Sequence, residues 1–159
     1  MSKYSHLDLV QISEKWIKKQ GFQVVASELK TTIREIPDVL GFRSNSSMMI
    51  ECKCSRSDFL RDFKKPERNG TSLGVGNYRL YISEEGLLQP TDMPLGWGLL
   101  EVNAKGKVNI VHFKQGNIWY GNDAFTHHQM KLSDKEKEFL HMSNIDNERR
   151  ILYSMLRRL

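Results

Sequence analysis

The stretch "IECKCSRSDFLRDFKKPE", from Ile50 to Glu67, places a carboxylate and an ammonium two positions apart in an apolar run. Side chains of a β-strand point alternately to its two faces, so Glu51 and Lys53 share one face of the predicted strand "MMIECKC" while the opposite face is apolar. Burying a charge is costly unless it is paired or bound to a metal. A simple ion pair is one explanation, but a metal-linked site explains the two charges better, because i,i+2 neighbours point side by side.

Regular elements are predicted on both sides of this strand. Ser55 resembles an N-cap, with Asp58 three residues later, and the helix that it opens ends before Pro66. A helix between two strands implies a right-handed crossover and parallel pairing. In chain order the patterns predict a helix over 7–20, strands at "FQVVASEL", "IPDVLGF" and "MMIECKC", the helix opened by Ser55, a strand at "YRLYIS" and a hairpin over "GWGLLEVNAKGKVNIVHF".

The length of 159 residues predicts a single α/β domain, 1–159, in which 132–159 forms a C-terminal helical appendage. The "SDKE" stretch that begins at Ser133 is a capping box. An apolar stripe follows, and packing against the core or pairing with another subunit in a homodimer explains it better than membrane contact. The stripe comprises Ile151, Leu152, Met155, Leu156 and Leu159.

Composition narrows the class of protein. No apolar run approaches the ~20 residues that span a membrane, and the N-terminus lacks the apolar core of a secretory signal. We therefore expect a cytoplasmic protein in a reducing compartment, with Cys52 and Cys54 acting as small apolar residues. The net charge of +5 is permissive for a polyanionic partner.

A second carboxylate is predicted to lie beside Glu51. Asp38 follows Pro37 in the strand "IPDVLGF", which should pair with "MMIECKC" across the turn "RSNSS", so that Asp38 and Glu51 converge on one cation. Hard cations such as Mg²⁺ take carboxylate oxygens and keep several waters. Lys53 beside the ion can orient or deprotonate water and stabilise charge on a phosphate. The residue types therefore favour phosphodiester cleavage, with Asp38, Glu51 and Lys53 as catalytic residues.

Pro-Asp followed by Glu-x-Lys resembles the PD-(D/E)xK nuclease superfamily, whose core runs helix, three strands, helix, strand, as predicted here. The resemblance implies a restriction-endonuclease-like core and a Mg²⁺-dependent nuclease, with Mn²⁺ as a substitute for Mg²⁺. A closer likeness, from about Phe22 to Val111, is to MmcB-like DNA-repair nucleases, and it implies DNA repair or processing. An aromatic residue often follows Pro-Glu in that family, whereas this chain has Arg68 and a longer glycine-rich loop, so substrate preference does not transfer. The positions that match after the E-x-K strand are Asp58, Phe59, Asp62, Lys64, Pro66 and Glu67.

The resemblance also suggests a third metal-binding acid. Glu28, at the end of the first strand, resembles an acid of related nucleases, but other members place this acid on the first helix, where Glu14 is the alternative. His6, on the same helix, is interpreted as a packed or exposed histidine rather than a ligand.

The partner implied is DNA, contacted mainly through its backbone, since no base-reading helix or zinc module is visible. Arg56, Lys64 and Lys65 are the predicted phosphate contacts, whereas Asp58 and Asp62 are interpreted as acids that cap and orient the helix. Two alternatives remain: a nucleic-acid-binding protein that keeps the fold without cutting, and a protein-binding surface on the same fold.

Overall fold

The computed structural model describes residues 3–27, 36–68, 70, 73–127 and 130–159, so Glu28 lies outside the described residues. These residues form a mixed α/β fold around a six-stranded sheet in the order β1-β2-β3-β4-β5-β6. None of the helices among them is long and apolar enough to cross a membrane. The elements are α1 (His6–Lys19), β1 (Val24–Ser27), β2 (Val39–Phe42), β3 (Ser47–Cys52), α2 (Arg56–Phe63), β4 (Tyr78–Glu84), β5 (Trp97–Val102), β6 (Val108–His112), α3 (Asp123–Thr126), α4 (Asp134–Lys137) and α5 (Ile145–Leu156).

Neighbouring strands pair parallel or antiparallel as the predicted connections between them require. Strands β1, β2 and β3 pair antiparallel, β3, β4 and β5 pair parallel, and β5 and β6 form an antiparallel hairpin. The predicted parallel pairing across the helix crossover and the predicted hairpin are both confirmed. The hairpin turn contains Gly106 at a φ of 81°, a conformation that favours glycine.

Both faces of the central strand β3 are buried. Ile50 and Cys52 belong to the apolar cluster beneath α1. Met49 belongs to a second cluster, together with Phe59 of α2 and Ile151 of α5. Because α2 and α5 cover the face that carries Glu51, this carboxylate is enclosed in protein rather than facing open solvent.

Helix α2 begins as its sequence predicts and buries only part of its surface. The side chain of Ser55 accepts a hydrogen bond from the backbone N–H of Asp58 at 3.1 Å, which confirms the N-cap. Phe59 is buried, whereas Leu60 is 51% exposed and Phe63 is 41% exposed. An eight-residue helix presents only a narrow strip to the sheet, here Phe59 and Asp62.

The C-terminal helix is anchored to the sheet by a buried carboxylate. Glu148 accepts hydrogen bonds from Ser47 Oγ at 2.7 Å, from the backbone N–H of Gly76 at 2.8 Å and from Ser143 Oγ. These donors satisfy a charge that would otherwise be costly to bury.

Only part of the predicted C-terminal apolar stripe is buried. Ile151 is 2% exposed and packs on the sheet, whereas Leu156 and Leu159 are 65% and 99% exposed. Packing against the core is thus confirmed for Ile151 and not for these last two residues, because α5 ends at Leu156, beyond the edge of its packing surface, and pairing with another subunit stays a prediction. The predicted capping box at Ser133 is present, although its helix, α4, is only four residues long.

Candidate active site

Asp38 and Glu51 meet where two neighbouring strands come together, as the sequence predicts. Val39 pairs with Ile50, and Asp38 and Glu51 are the next residues along β2 and β3. Both acids are buried, at 8% and 5% exposure. The backbone N–H of Cys52 donates to Asp38 Oδ2 at 2.8 Å, which fixes the carboxylate against the end of β3.

Lys53 directs its ammonium between two carboxylates. Its Nζ lies 3.9 Å from Glu51 Oε2 and 3.5 Å from Asp62 Oδ1. Its backbone N–H donates to the carbonyl of Ile82 at 3.0 Å, so the main chain holds it to the sheet just beyond β3. The ammonium is therefore closer to an acid on the following helix than to its neighbour on the strand.

Asp62 is a buried member of this cluster rather than a helix-capping acid, so its interpretation from the sequence was wrong. Arg68 donates to it twice, from Nε at 2.7 Å and from Nη2 at 3.0 Å, and the Tyr81 hydroxyl donates as well. Burial favours the neutral acid, but the hydrogen bonds and charge of Arg68 outweigh it and hold the pKa of Asp62 well below its usual range.

The pKa of Glu51 is shifted in the opposite direction from that of Asp62. Burial, and then the negative charges of Asp38 and Asp62, raise the pKa of Glu51 to about 8, against the opposing charges of Arg68 and Lys53. The Nη2 atom of Arg68 lies 3.4 Å from Glu51 Oε1. In the absence of an added cation, Glu51 therefore keeps a proton at neutral pH.

Arg68 is a central member of this cluster, although the sequence alone did not identify it as one. Its guanidinium lies 4.5 Å from the centre of the Trp97 ring and its side chain is only 5% exposed. Planar guanidinium groups stack on aromatic rings and bind carboxylates through two parallel bonds. The available signal was that an arginine stands where the resembling family often has an aromatic residue.

His6 and one of the two candidate third acids, Glu14, belong to the part of the chain that the structure describes. His6 Nε2 lies 3.5 Å from Asp38 Oδ1, so this histidine stands at the margin of the site rather than apart from it. Glu14 is partly buried on α1, and Glu28 lies outside the described residues, so the choice of third acid stays a prediction. Among the described residues, no group of three or more His, Cys, Asp or Glu side chains could hold a metal ion.

The three predicted phosphate contacts lie in different surroundings. Arg56 makes two hydrogen bonds to Asp92, at 3.0 and 3.2 Å, so binding a phosphate requires this pair to open. Lys64 is exposed at the end of α2. Lys65 Nζ lies 3.1 Å from Asp62 Oδ1 and is therefore the one of the three that borders the carboxylates.

Replacing Arg68 with Ala is expected to destabilise the fold by about 3–5 kcal/mol, because it leaves the Asp62 carboxylate buried without its two-bond partner. Urea denaturation at neutral pH measures the free energy of unfolding. Arg61→Ala is the control, since the Arg61 side chain is 75% exposed and pairs with Asp58 at the surface, where such pairs contribute about 0–1 kcal/mol. Equal losses in the two variants would show that Arg68 does not hold the cluster together.

Comparisons with known proteins support the architecture alone. No family model matches the chain, and no curated protein matches it. A solved structure, the SPO1766 protein of unknown function from Silicibacter pomeroyi, is similar with a TM-score of 0.51 and 20% sequence identity, covering 98% of this chain and 94% of that one. At this identity the likeness shows a shared fold over nearly the whole chain.

Proposed function

We propose that the protein is a Mg²⁺-dependent nuclease that hydrolyses phosphodiester bonds in DNA, on a restriction-endonuclease-like core. The observation that carries the proposal is the meeting of two buried carboxylates, Asp38 and Glu51, with the Lys53 ammonium 3.9 Å from Glu51. The succession α1, β1, β2, β3, α2, β4 agrees with the core implied by the sequence resemblance.

The donor atoms fit a hard divalent cation. Mg²⁺ is commonly held by one or two carboxylates together with substrate phosphates and water, and Mn²⁺ takes the same oxygen ligands. Asp38 and Glu51 would hold it, with Glu28 a further candidate outside the described residues. Burial and the negative charges of Asp38 and Asp62 raise the pKa of Glu51, and a bound cation would oppose both effects by favouring the ionised carboxylate. When bound, the ion supplies Lewis-acid polarisation of the phosphate and of water.

The side chains of the chain itself then have separate tasks. Asp38 is held in place by the backbone N–H of Cys52, which donates to Oδ2, so the carboxylate is oriented without reorganisation. Asp62 positions Lys53 from the opposite side, at 3.5 Å. The Lys53 ammonium neutralises charge that develops on the phosphate oxygens as water attacks phosphorus and the leaving oxygen departs. Asp62 is thus a positioning residue and Lys53 a catalytic one.

A cleavage assay tests the proposal. Purified protein is incubated with end-labelled single-stranded, duplex and branched DNA, and with RNA, in Mg²⁺, in Mn²⁺ or in EDTA. We expect cleavage of DNA that requires the metal and is absent from the Glu51→Gln preparation. Lack of cleavage on every substrate with either metal would reject the nuclease.

A non-cleaving nucleic-acid-binding protein is the second candidate. It is favoured by the position of Arg68, whose Nη2 lies 3.4 Å from Glu51 Oε1 and already contributes positive charge there. DNA binding in EDTA, without cleavage when Mg²⁺ or Mn²⁺ is added, would identify this alternative.

DNA affinity is expected to fall with salt, because the contacts proposed are to phosphates. Each neutralised phosphate contributes a slope of about −0.7 to −0.9 in a plot of log affinity against log salt. Lys64→Ala should reduce the size of that slope by about one unit and lower the affinity for DNA of unrelated sequences equally. Fluorescence anisotropy in EDTA at several salt concentrations measures both effects, and a loss confined to one sequence would contradict backbone binding.

A further inference from the structure

A cavity of about 530 Å³ opens beside the proposed catalytic carboxylates, and Glu51 forms part of its wall. Leu73 and Val75 contribute apolar surface to it. Four cationic side chains and two acids contribute its charged surface, so the cavity carries a positive excess. These are Lys65, Arg68, Arg79 and Arg150, with Glu51 and Glu67.

The walls of this cavity are held firmly by the rest of the fold. Helix α5, which forms one wall, is anchored through the buried Glu148 carboxylate. Arg79 donates to the backbone carbonyls of Gly74, Gly76 and Met142 at 2.9–3.1 Å, which joins β4 to the segments on either side of the cavity. On these two sides, at α5 and at Arg79, the space beside Glu51 is bounded by anchored structure.

The size of the cavity limits what can reach Glu51 through it. Its volume of about 530 Å³ lies within the range of roughly 300–1,000 Å³ that suits one small ligand, and a sphere of that volume is only about 10 Å across. A B-DNA duplex, whose major groove alone is about 12 Å wide, is broader than this cavity and cannot enter it. A nucleotide can therefore occupy the cavity only when it is unpaired, as in a single strand or a frayed strand end.

We propose that this cavity receives one unpaired nucleotide, so that the substrate is single-stranded DNA or an unpaired strand end rather than intact duplex. The inference rests on the proposed function and specifies its substrate class. The sugar and base lie against the apolar side chains of Leu73 and Val75, and the flanking phosphates meet the cationic side chains.

Arg150 and Lys65 are the cations best placed to meet a phosphate. Arg68 and Arg79 are committed to Asp62 and to backbone carbonyls. Arg150 is exposed and makes a hydrogen bond of 3.3 Å to Asn147 Oδ1 within its own helix. Its neighbour Arg149 is equally a charged, exposed residue of α5 but does not belong to the cavity lining, so it offers a matched control.

The test measures DNA binding separately from cleavage. A labelled twelve-nucleotide strand and the duplex of the same sequence are titrated in EDTA with wild type, Arg150→Ala, Arg150→Gln and Arg149→Ala. We expect the single strand to bind at least about tenfold more tightly than the duplex, a difference of about 1.4 kcal/mol. Both Arg150 variants should lose about tenfold in single-strand affinity, while Arg149→Ala should stay within about twofold of wild type. Thermal melting verifies that the variants are folded.

The outcomes separate this inference from the proposed function. Equal binding of the two DNA forms, or equal effects of the Arg149 and Arg150 substitutions, overturns the inference. Cleavage of duplex as fast as single strand in Mg²⁺ also overturns it and leaves the nuclease standing. Arg150-dependent preference for single strands, with no cleavage in any metal, supports binding of an unpaired nucleotide in this cavity and rejects the nuclease, so that the single strand is a ligand rather than a substrate.

Discussion

Glu51→Gln is expected to abolish metal-dependent DNA cleavage while leaving the protein folded. The substitution keeps the volume of the side chain and removes one of the two carboxylates that meet at β2 and β3. Lewis-acid stabilisation of a transition state amounts to several kcal/mol, so loss of the metal corresponds to about 10³-fold or more in rate.

The same substitution is expected to stabilise the metal-free protein at alkaline pH. The pKa of Glu51 is raised from 4.5 to about 8 in the folded chain, chiefly by burial and then by Asp38. Between these two values the folded state binds the extra proton, so this group lowers the free energy of unfolding as pH rises from 4.5 to 8. The slope contributed by one such group is at most about 1.4 kcal/mol per pH unit. Glu51→Gln should remove that slope.

Urea denaturation at pH 5, 7 and 9, with and without Mg²⁺, measures the effect on the free energy of unfolding. A single-turnover cleavage assay measures the effect on the rate. Mg²⁺ should stabilise wild type and leave Glu51→Gln unchanged, because only a site that binds the ion gains stability from it. Glu85→Gln is the matched control, since Glu85 is exposed. Wild-type cleavage by Glu51→Gln would remove Glu51 from the catalytic site.

Lys53→Ala is expected to reduce the rate of cleavage by about 10²–10³-fold, the usual loss when a preorganised charge is removed. Metal affinity should be retained, because a protonated lysine cannot ligate a cation. Removing the ammonium also leaves Glu51 and Asp62 with one positive neighbour fewer, which favours the binding of a cation. The rate and the affinity for metal should therefore separate in this variant.

Calorimetric titration of Mn²⁺, together with single-turnover cleavage, checks the separation. Lys53→Arg should restore little of the rate, because a planar fork does not replace a compact ammonium in the space between Glu51 and Asp62. Lys64→Ala is the control for loss of one positive charge on the same part of the chain, and its rate at saturating DNA should stay near that of wild type. If Lys53→Ala cuts at the wild-type rate, Lys53 serves only as the ion partner of Asp62.

The local pattern of the sequence determined the succession of elements and the central pair of acids. The alternation in "MMIECKC" separated the residues beneath α1 from Met49 and Glu51, and Ser55 marked the start of α2. The turn between two short strands fixed the register that brings Asp38 opposite Glu51. These features depend on periodicity, caps and turns, whose physical causes act over a few residues.

Only the tertiary structure decided how the charges around these acids are balanced. Asp62 is bound by Arg68 and Tyr81, and Arg68 stacks on Trp97, so the cluster joins α2, β4 and β5. The exposure of α2's outer side chains and the depth of the cavity beside Glu51 likewise depend on how α2 and α5 cover the sheet. Ion pairing and burial depend on distances through space, which a linear pattern does not contain. For this reason the polar segment "RDFKKPER" reads as a surface segment in the sequence, although Asp62 and Arg68 within it are buried beside Glu51 in the structure.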